Sequence, residues 1–455
     1  MCDTIAILGR NTRTGFSMFA KNSDREPNEA QVVIRMPPMQ HESEWVKCTY
    51  ISIPQVRLTY EVILSKPFHI WGAEMGCNEE GVAIGNEAVF SNVKKAKTNS
   101  GLSGMDMVRL ALERADSAEK AVDLIFEWVE EYGQDACGGF QDKNFFYDNS
   151  FLIIDSQKAW KVETVGKFAA AIQINSWDSI SNGYTIEHHF DRVNRTFEKW
   201  MISEKPKSGF SFKRKFSDGI MSYFTRHRTR RACSLNHLQS TVPDVSLNDL
   251  SRIMSSHEKG FSYSEVTPRS LCMHASGFLC PHQTTGSMII EWRGKKTPLV
   301  WATGSSHPCL SVYKPIAFGI KGSRFTENEN DGLIYWVFHE YIYRSVILGI
   351  DERLQQLVEE KDRNQNSLFS LSYFEKEHNE KSSASAFSVY ANSWEESVLN
   401  AFQSWEKAQN GFNRNIKGSL FYNYFWKRQN VEFQKLYPQD RFFSKSSSTI
   451  SHNSS

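Results

Sequence analysis

The stretch Met1-Cys2-Asp3-Thr4-Ile5-Ala6-Ile7-Leu8-Gly9, followed after a short reversal by Phe16-Ser17-Met18-Phe19-Ala20-Lys21-Asn22-Ser23-Asp24-Arg25, decides how the rest of the chain is read. Its two apolar runs, at 5–8 and 16–20, are short and bounded by turn formers. Asn11-Thr12-Arg13-Thr14-Gly15 supplies the reversal, with Gly15 free to take a positive φ, so the pattern predicts an antiparallel β-hairpin. Pairing of the two arms returns the polar cluster 21–25 to Cys2. A thiol, an α-amine and several charges then meet at one end of a sheet.

The chemistry of position 2 follows from its place. Cysteine is small enough for an initiator Met before it to be trimmed, which leaves Cys2 with a free α-amine. Such an amine titrates near ~8 and can act as general base for its own thiol. Asp24 is placed to hold the ammonium form, and Lys21 or Arg25 to favour the thiolate.

Composition excludes several classes. The chain has 53 Lys and Arg against 52 Asp and Glu, a formal net charge of +1, which gives no global pull towards nucleic acid or an anionic membrane. With 40% hydrophobic residues in 455 it can bury a large core. No run has the length or apolarity of a membrane span, and the start lacks the apolar segment of a signal peptide. The eight cysteines are scattered rather than framework-like, so the expected setting is soluble and cytoplasmic.

Strands are expected at 32–34, 48–53, 60–64 and 68–71. The run Gly76-Cys77-Asn78-Glu79-Glu80-Gly81-Val82-Ala83-Ile84-Gly85-Asn86-Glu87 reads as a turn built by Asn78 and Gly81, a strand, and a strand end carrying an amide and a carboxylate. Helices are expected over 105–114 and, capped by Ser117, through 131. Strands resume at 151–154, 159–164 and 168–174, and Asn182-Gly183 sets a second amide beside a glycine.

Together these motifs resemble the secernins, part of the cysteine dipeptidase group of N-terminal-nucleophile (Ntn) hydrolases. The resemblance rests on Cys2-Asp3-Thr4, the 20–25 cluster and the 76–87 run, with Asn149-Ser150-Phe151, Trp160 with Glu163-Thr164, and Ser181-Asn182 following in order. Further on it includes Cys272-Met273-His274, Thr284-Thr285-Gly286-Ser287, Pro308-Cys309 and His339-Glu340. It implies an α+β fold, an αββα sandwich of two antiparallel sheets with an appended C-terminal helical region. Cys2 would be the nucleophile of a cysteine-type dipeptidase or small-amide hydrolase working through a thioester. By position Asp24 would orient the α-amine and Lys21 would stand where more distant bile-salt and penicillin amidases have an arginine. Asn182 would serve the nucleophile's environment or an oxyanion hole, with Asn86 a looser match. Arg25, Glu87 and His274 are expected to contact substrate. A second site arginine has no clear counterpart, Arg269 being a candidate only by neighbourhood. The competing implication is a non-catalytic protein acting in regulated exocytosis through protein contacts.

Three features stand apart. Residues 204–232 interleave nine Lys and Arg with aromatics and read as a basic surface insertion, a docking surface rather than an RNA site. Cys272-x-His274 and Cys280-x-His282 invite a metal reading, but packing is preferred because zinc pairs are usually spaced more widely. No metal or cofactor is therefore expected. The core is expected over 1–325, and helices over 326–443, including an amphipathic one that buries Leu333, Trp336, Val337 and Tyr341 and further ones at 394–408 and 417–436. The serine-rich tail 444–455 is expected to be disordered.

Overall fold

The opening hairpin forms as its alternation dictates. Ile5 and Ile7 face one side and Ala6 the other, and both sides are buried, which is why the run is apolar rather than alternating with polar residues. The computed structural model describes residues 1–206, 209–263, 267–294, 298–319, 326, 328–349, 353–374 and 416–438.

The described strands begin with β1 Cys2–Ile7, β2 Met18–Arg25, β3 Gln31–Met36, β4 Met39–Gln40, β5 Trp45–Lys47, β6 Ser52–Pro54, β7 Leu58–Thr59, β8 Val62–Pro67, β9 Met75–Asn78 and β10 Ala83–Val89. Helices α1 Gly104–Arg114 and α2 Ala118–Glu131 follow, then β11 Asp148–Ile154, β12 Ala159–Val165, β13 Phe168–Ile174, β14 Trp177–Ile180 and β15 Arg192–Val193. Next come α3 Arg195–Glu204, α4 Phe212–Phe216, α5 Gly219–Phe224, α6 His227–Thr241 and α7 Leu247–Met254. Strands β16 Gln283–Trp292, β17 Pro298–Ala302 and β18 Lys314–Ile316 precede α8 Glu329–Gly349, α9 Arg353–Phe374 and α10 Leu420–Leu436.

Among the described residues, one antiparallel sheet runs β14-β1-β2-β16-β17-β18 and a second runs β15-β13-β12-β11-β10-β9-β8-β3. Between them lie Ala6, Phe19, Met288 and Ile290 from the first and Ile63, Ala83, Leu152 and Ile154 from the second. The outer face of the second sheet packs on α1 and α2 through Val108, Leu112 and Ile125. The outer face of the first packs on α6, α7 and α9 through Leu238, Leu250 and Phe369. The protein is thus an α+β, four-layer αββα sandwich. Among the described residues, no helix is long and apolar enough to cross a membrane.

The C-terminal helices dock on the turn after β2. Trp336 donates its indole N–H to Thr285 O at 2.9 Å, and Arg344 donates to Pro27 O at 2.6 Å and to Asn28 Oδ1 at 2.9 Å. Helix α8 is buried on more than one face, so His339, Glu340 and Arg344, which lie around the helix from its apolar stripe, are inside as well. Glu340 Oε1 accepts there from Arg344 and Gln283, both at 2.8 Å.

Two expected elements differ. Residues 48–51 form the tip between β5 and β6, because Thr49 gives its hydroxyl to Asp106 of α1 at 2.6 Å. Residues 68–71 turn after Pro67, and Trp71 is held by Arg109, which stacks over its ring at 4.0 Å and donates to its carbonyl at 2.8 Å. Thr284-Thr285-Gly286 forms a β-bulge inside β16, opposite Ser23 and Asp24. Helix α9 runs through 364–374; the expected helix at 394–408 and the tail 444–455 lie outside the described residues.

A close approach between the sheets positions the site. A Cβ on Gly85 would lie 2.6 Å from Lys21 Cδ and 3.0 Å from Phe19 Cζ, so the glycine makes room for a lysine inside the sandwich. Gly85→Ala is expected to cost roughly 1–3 kcal/mol in chemical denaturation, since neither neighbour has space to retreat.

Candidate functional site

Register brings the site together. Cys2 pairs with Ser23 and Thr4 with Lys21, so Cys2, Thr4, Ser23 and Lys21 share the face towards the second sheet. Asp3, Asn22 and Asp24 alternate to the face under α6 and α7. The Cys2 backbone N–H donates to Asn182 Oδ1 at 2.7 Å, and Asn182 Nδ2 donates to Ala88 O at 2.9 Å. Asn182 therefore fixes the nitrogen of Cys2, and its own N–H is directed to the backbone of β10.

The arginine that sequence reasoning missed is Arg230, on α6 and fully buried. It donates to Cys2 O at 3.1 Å, to the Asp3 carboxylate, to Asn182 Oδ1 at 2.7 Å and to Thr225 O at 3.2 Å. It also lies 3.8 Å from Asp24 Oδ2. Gly183 lets this helix approach: a Cβ there would meet the His227 ring at 2.2 Å. The stretch read as a solvated insertion is therefore divided. Arg214, Lys215 and Arg228 are exposed, whereas Phe212 and Phe216 pack with Phe197 in a buried cluster and Arg230 enters the site. A signal was present in the spacing, because His227, Arg230, Ser234 and Leu238 recur at helical intervals and form the buried face of α6.

Asp24 accepts from Thr284 Oγ1 at 2.6 Å through Oδ1, while its buried Oδ2 accepts no hydrogen bond from the described residues. Burial raises the Asp24 carboxyl to about 6, against the pull of the N-terminus and Arg230. Asp3 is likewise raised to about 6 by burial, with Arg230 opposing. Burial pushes the Cys2 thiol to about 11, with Lys21 pulling the other way. Lys21 lies 3.3 Å from Glu87, both fully buried, and Glu87 also accepts from Thr4. Burial opposes the charge of Lys21, yet Cys2, Glu87 and Glu74 outweigh it and hold the ammonium above its ordinary range.

Beside Cys2 is a cavity of roughly 20 Å³, about the room one water needs, lined by Met1, Asp24, Arg25, Glu74, Asn86 and His282 among others. The Met1 ammonium donates to Asp24 O at 2.9 Å, and Met1 is part of the lining. Asn86 Nδ2 donates to Asn149 Oδ1 at 3.0 Å, whose Nδ2 donates to Gln134 at 3.0 Å; this leaves Asn86 Oδ1 without a donor. Arg25 is paired with Glu29 and with Glu74, the latter at 3.0 Å, and Glu74 Oε2 is buried without a donor.

Two expectations find a different setting. Glu87 sits inside the sandwich on Lys21 and is not part of the cavity lining. His274 is in a separate cluster with Cys272 and Cys309, whereas His282 takes a place in the lining. Burial holds the His282 imidazole well below its ordinary range, so it is neutral there.

Removing Arg230 tests the electrostatics. Arg230→Met leaves Asp3 and Asp24 buried and uncompensated, and a loss of ~3–5 kcal/mol is expected at pH 7.5. The loss should shrink in denaturant titrations below about pH 6, where both carboxyls take up protons in the folded state.

No family model matches the chain. Solved structures similar to it include a conjugated bile acid hydrolase from Clostridium perfringens, at 13% identity and TM-score 0.41 over 71% of this chain and 94% of that one. A penicillin V acylase from Agrobacterium tumefaciens matches at 12% identity and TM-score 0.40 over 71% and 88%. A Caenorhabditis elegans N-acylethanolamine-hydrolyzing acid amidase ortholog matches at 10% identity and TM-score 0.35 over 64% and 92%.

Proposed function

We propose that the protein is an N-terminal-nucleophile amide hydrolase, and more narrowly a secernin-like cysteine-type dipeptidase. The observation that supports this most is the convergence on Cys2 of Asn182 at its nitrogen, Arg230 at its carbonyl and Asp24 beside it with a buried oxygen that accepts no hydrogen bond. In this reading Met1 is removed, the Cys2 nitrogen becomes an amine still held by Asn182, and Asp24 stabilises its charged form. The thiol proton passes to the amine and the thiolate attacks the amide carbonyl. The ammonium then protonates the departing amine, leaving a thioester that water hydrolyses with the same amine as base. Lys21, on the face of Cys2, favours the thiolate. Removal of Met1 also enlarges the cavity that it lines. There Glu74 Oε2, buried without a donor, offers an acceptor for the ammonium of a dipeptide.

A second reading has one observation behind it. Ile220, Met221, Tyr223 and Phe224 are exposed beside Arg226 and Arg228, a surface suited to protein contacts of the kind the exocytosis role requires.

Intact mass and selective labelling of Cys2 by a thiol probe are expected to report loss of Met1. Purified protein should hydrolyse members of a dipeptide panel, and Cys2→Ala or an N-terminal extension should abolish this. Full activity in either form would sink the mechanism. Activity should fall as pH drops through about 6, because Asp24 must be ionised to hold the ammonium. Asp24→Asn should remove the activity at every pH.

A further inference from the structure

A second polar cluster lies outside the cavity, and its members come from three segments of the chain. His257 follows α7, Cys272 and His274 lie in the irregular segment before β16, and Cys309 follows β17. Their ligand atoms, two imidazole nitrogens and two thiol sulfurs, all lie within 4.8 Å of one another. His274, Cys272 and Cys309 are buried and His257 partly so.

The individual separations match a specific geometry. His257 Nε2 is 3.2 Å from His274 Nε2, Cys272 Sγ is 3.6 Å from it, and Cys309 Sγ is 3.4 Å from it. A tetrahedron around zinc, with Zn–N near ~2.05 Å and Zn–S near ~2.3 Å, has N···N edges of about 3.3 Å and N···S edges of about 3.5 Å. All three observed distances fall within about 0.2 Å of those edges. An imidazole nitrogen offers one lone pair or one proton, so His274 Nε2 cannot hydrogen-bond well to three such groups at once. A shared cation accounts for the convergence of all of them.

We infer that His257, Cys272, His274 and Cys309 form a structural zinc site. Two thiolates and two imidazoles select zinc over magnesium or calcium, and a full set of four protein ligands is the arrangement of a structural centre rather than a catalytic one. The surroundings suit it. The His274 ring stacks on His307 at 4.3 Å and the His257 ring on Phe261 at 3.8 Å, and the Cys309 backbone N–H faces the Cys272 sulfur. Spacing alone pointed to the wrong partners: His282 belongs to the Cys2 cavity, and the thiol of Cys280 donates to His274 O at 3.4 Å.

The site also has a mechanical link to the nucleophile. Between its ligands, Met273 accepts from Thr284 N at 2.9 Å and donates to Thr284 Oγ1 at 2.8 Å, and His307 N donates to Thr284 O at 2.9 Å. Thr284 is the residue whose hydroxyl donates to Asp24. The metal would therefore clamp three loops around the strand that orients Asp24.

The test uses the full chain purified without a metal-binding tag. Elemental analysis should find about one zinc per chain, and a mercurial thiol reagent should release it in step with thiol blocking. Cobalt substitution should give thiolate-to-cobalt absorption and tetrahedral d–d bands. Cys309→Ser and His257→Gln should lose most of the zinc, while Cys280→Ser keeps it. If the serine variant does not fold, the wild-type content and mercurial release still decide. A folded wild-type protein free of zinc, a Cys272–Cys309 disulfide in its peptide map, or undiminished zinc in folded Cys309→Ser would each overturn the site.

Discussion

Two carboxylates, Asp3 and Asp24, are buried within two strands of each other at the end of a sheet, and one guanidinium lies between them. Arg230 is the constraint on which the rest of the site depends. Taking these charges out of water is costly, and the arrangement holds only because the same guanidinium also satisfies the carbonyl of Cys2 and the amide of Asn182. Helix α6 must therefore lie where it does, and Gly183 is bare because α6 crosses it. Position of Cys2 and position of the helix are one problem with one solution.

The two sides of the first sheet divide the labour. On the inner side, Cys2 shares its surface with Lys21, whose charge is kept by Glu87 in the dry space between the sheets. On the outer side, Asp3 and Asp24 meet Arg230. A strand alternates faces at every residue, so neighbours in sequence deliver opposite environments to the two sides of a single backbone. The bulge at Thr285 bends β16 beside this point, which brings Thr284 to Asp24 without disturbing the ladder further along.

Much of this was legible in the sequence. The hairpin declared itself by two short apolar runs and a turn with a glycine, and its register follows once the arms pair. Asn182 and Asn86 were visible as amides at strand ends. Arg230 was hidden by its neighbours, since a run of Lys and Arg reads as a wet surface until the helix that buries one of them is known. The helical face 227, 230, 234, 238 was the clue, and it was masked by exposed residues of the same type. The cluster of His257, Cys272, His274 and Cys309 was only half legible for another reason: the pair Cys272 and His274 stood out, but its other members lie up to 52 positions apart, as 309 less 257 shows, and only the tertiary fold says which residues meet. Helix α8 misled by the opposite route, because a helix covered on several sides has no polar face to mark its orientation.

The strand order has a consequence for time. β1 is flanked by β14 and β2 by β16, so the first residues of the chain find their partners only when residues 177–180 and 283–292 have been made. Contacts this distant in sequence form slowly, and at ordinary rates of synthesis the hairpin waits on the order of tens of seconds for its neighbours. During that interval the hairpin is accessible to whatever acts on nascent chains. Once the sheet closes, both of its arms are interior strands, and the interval is over.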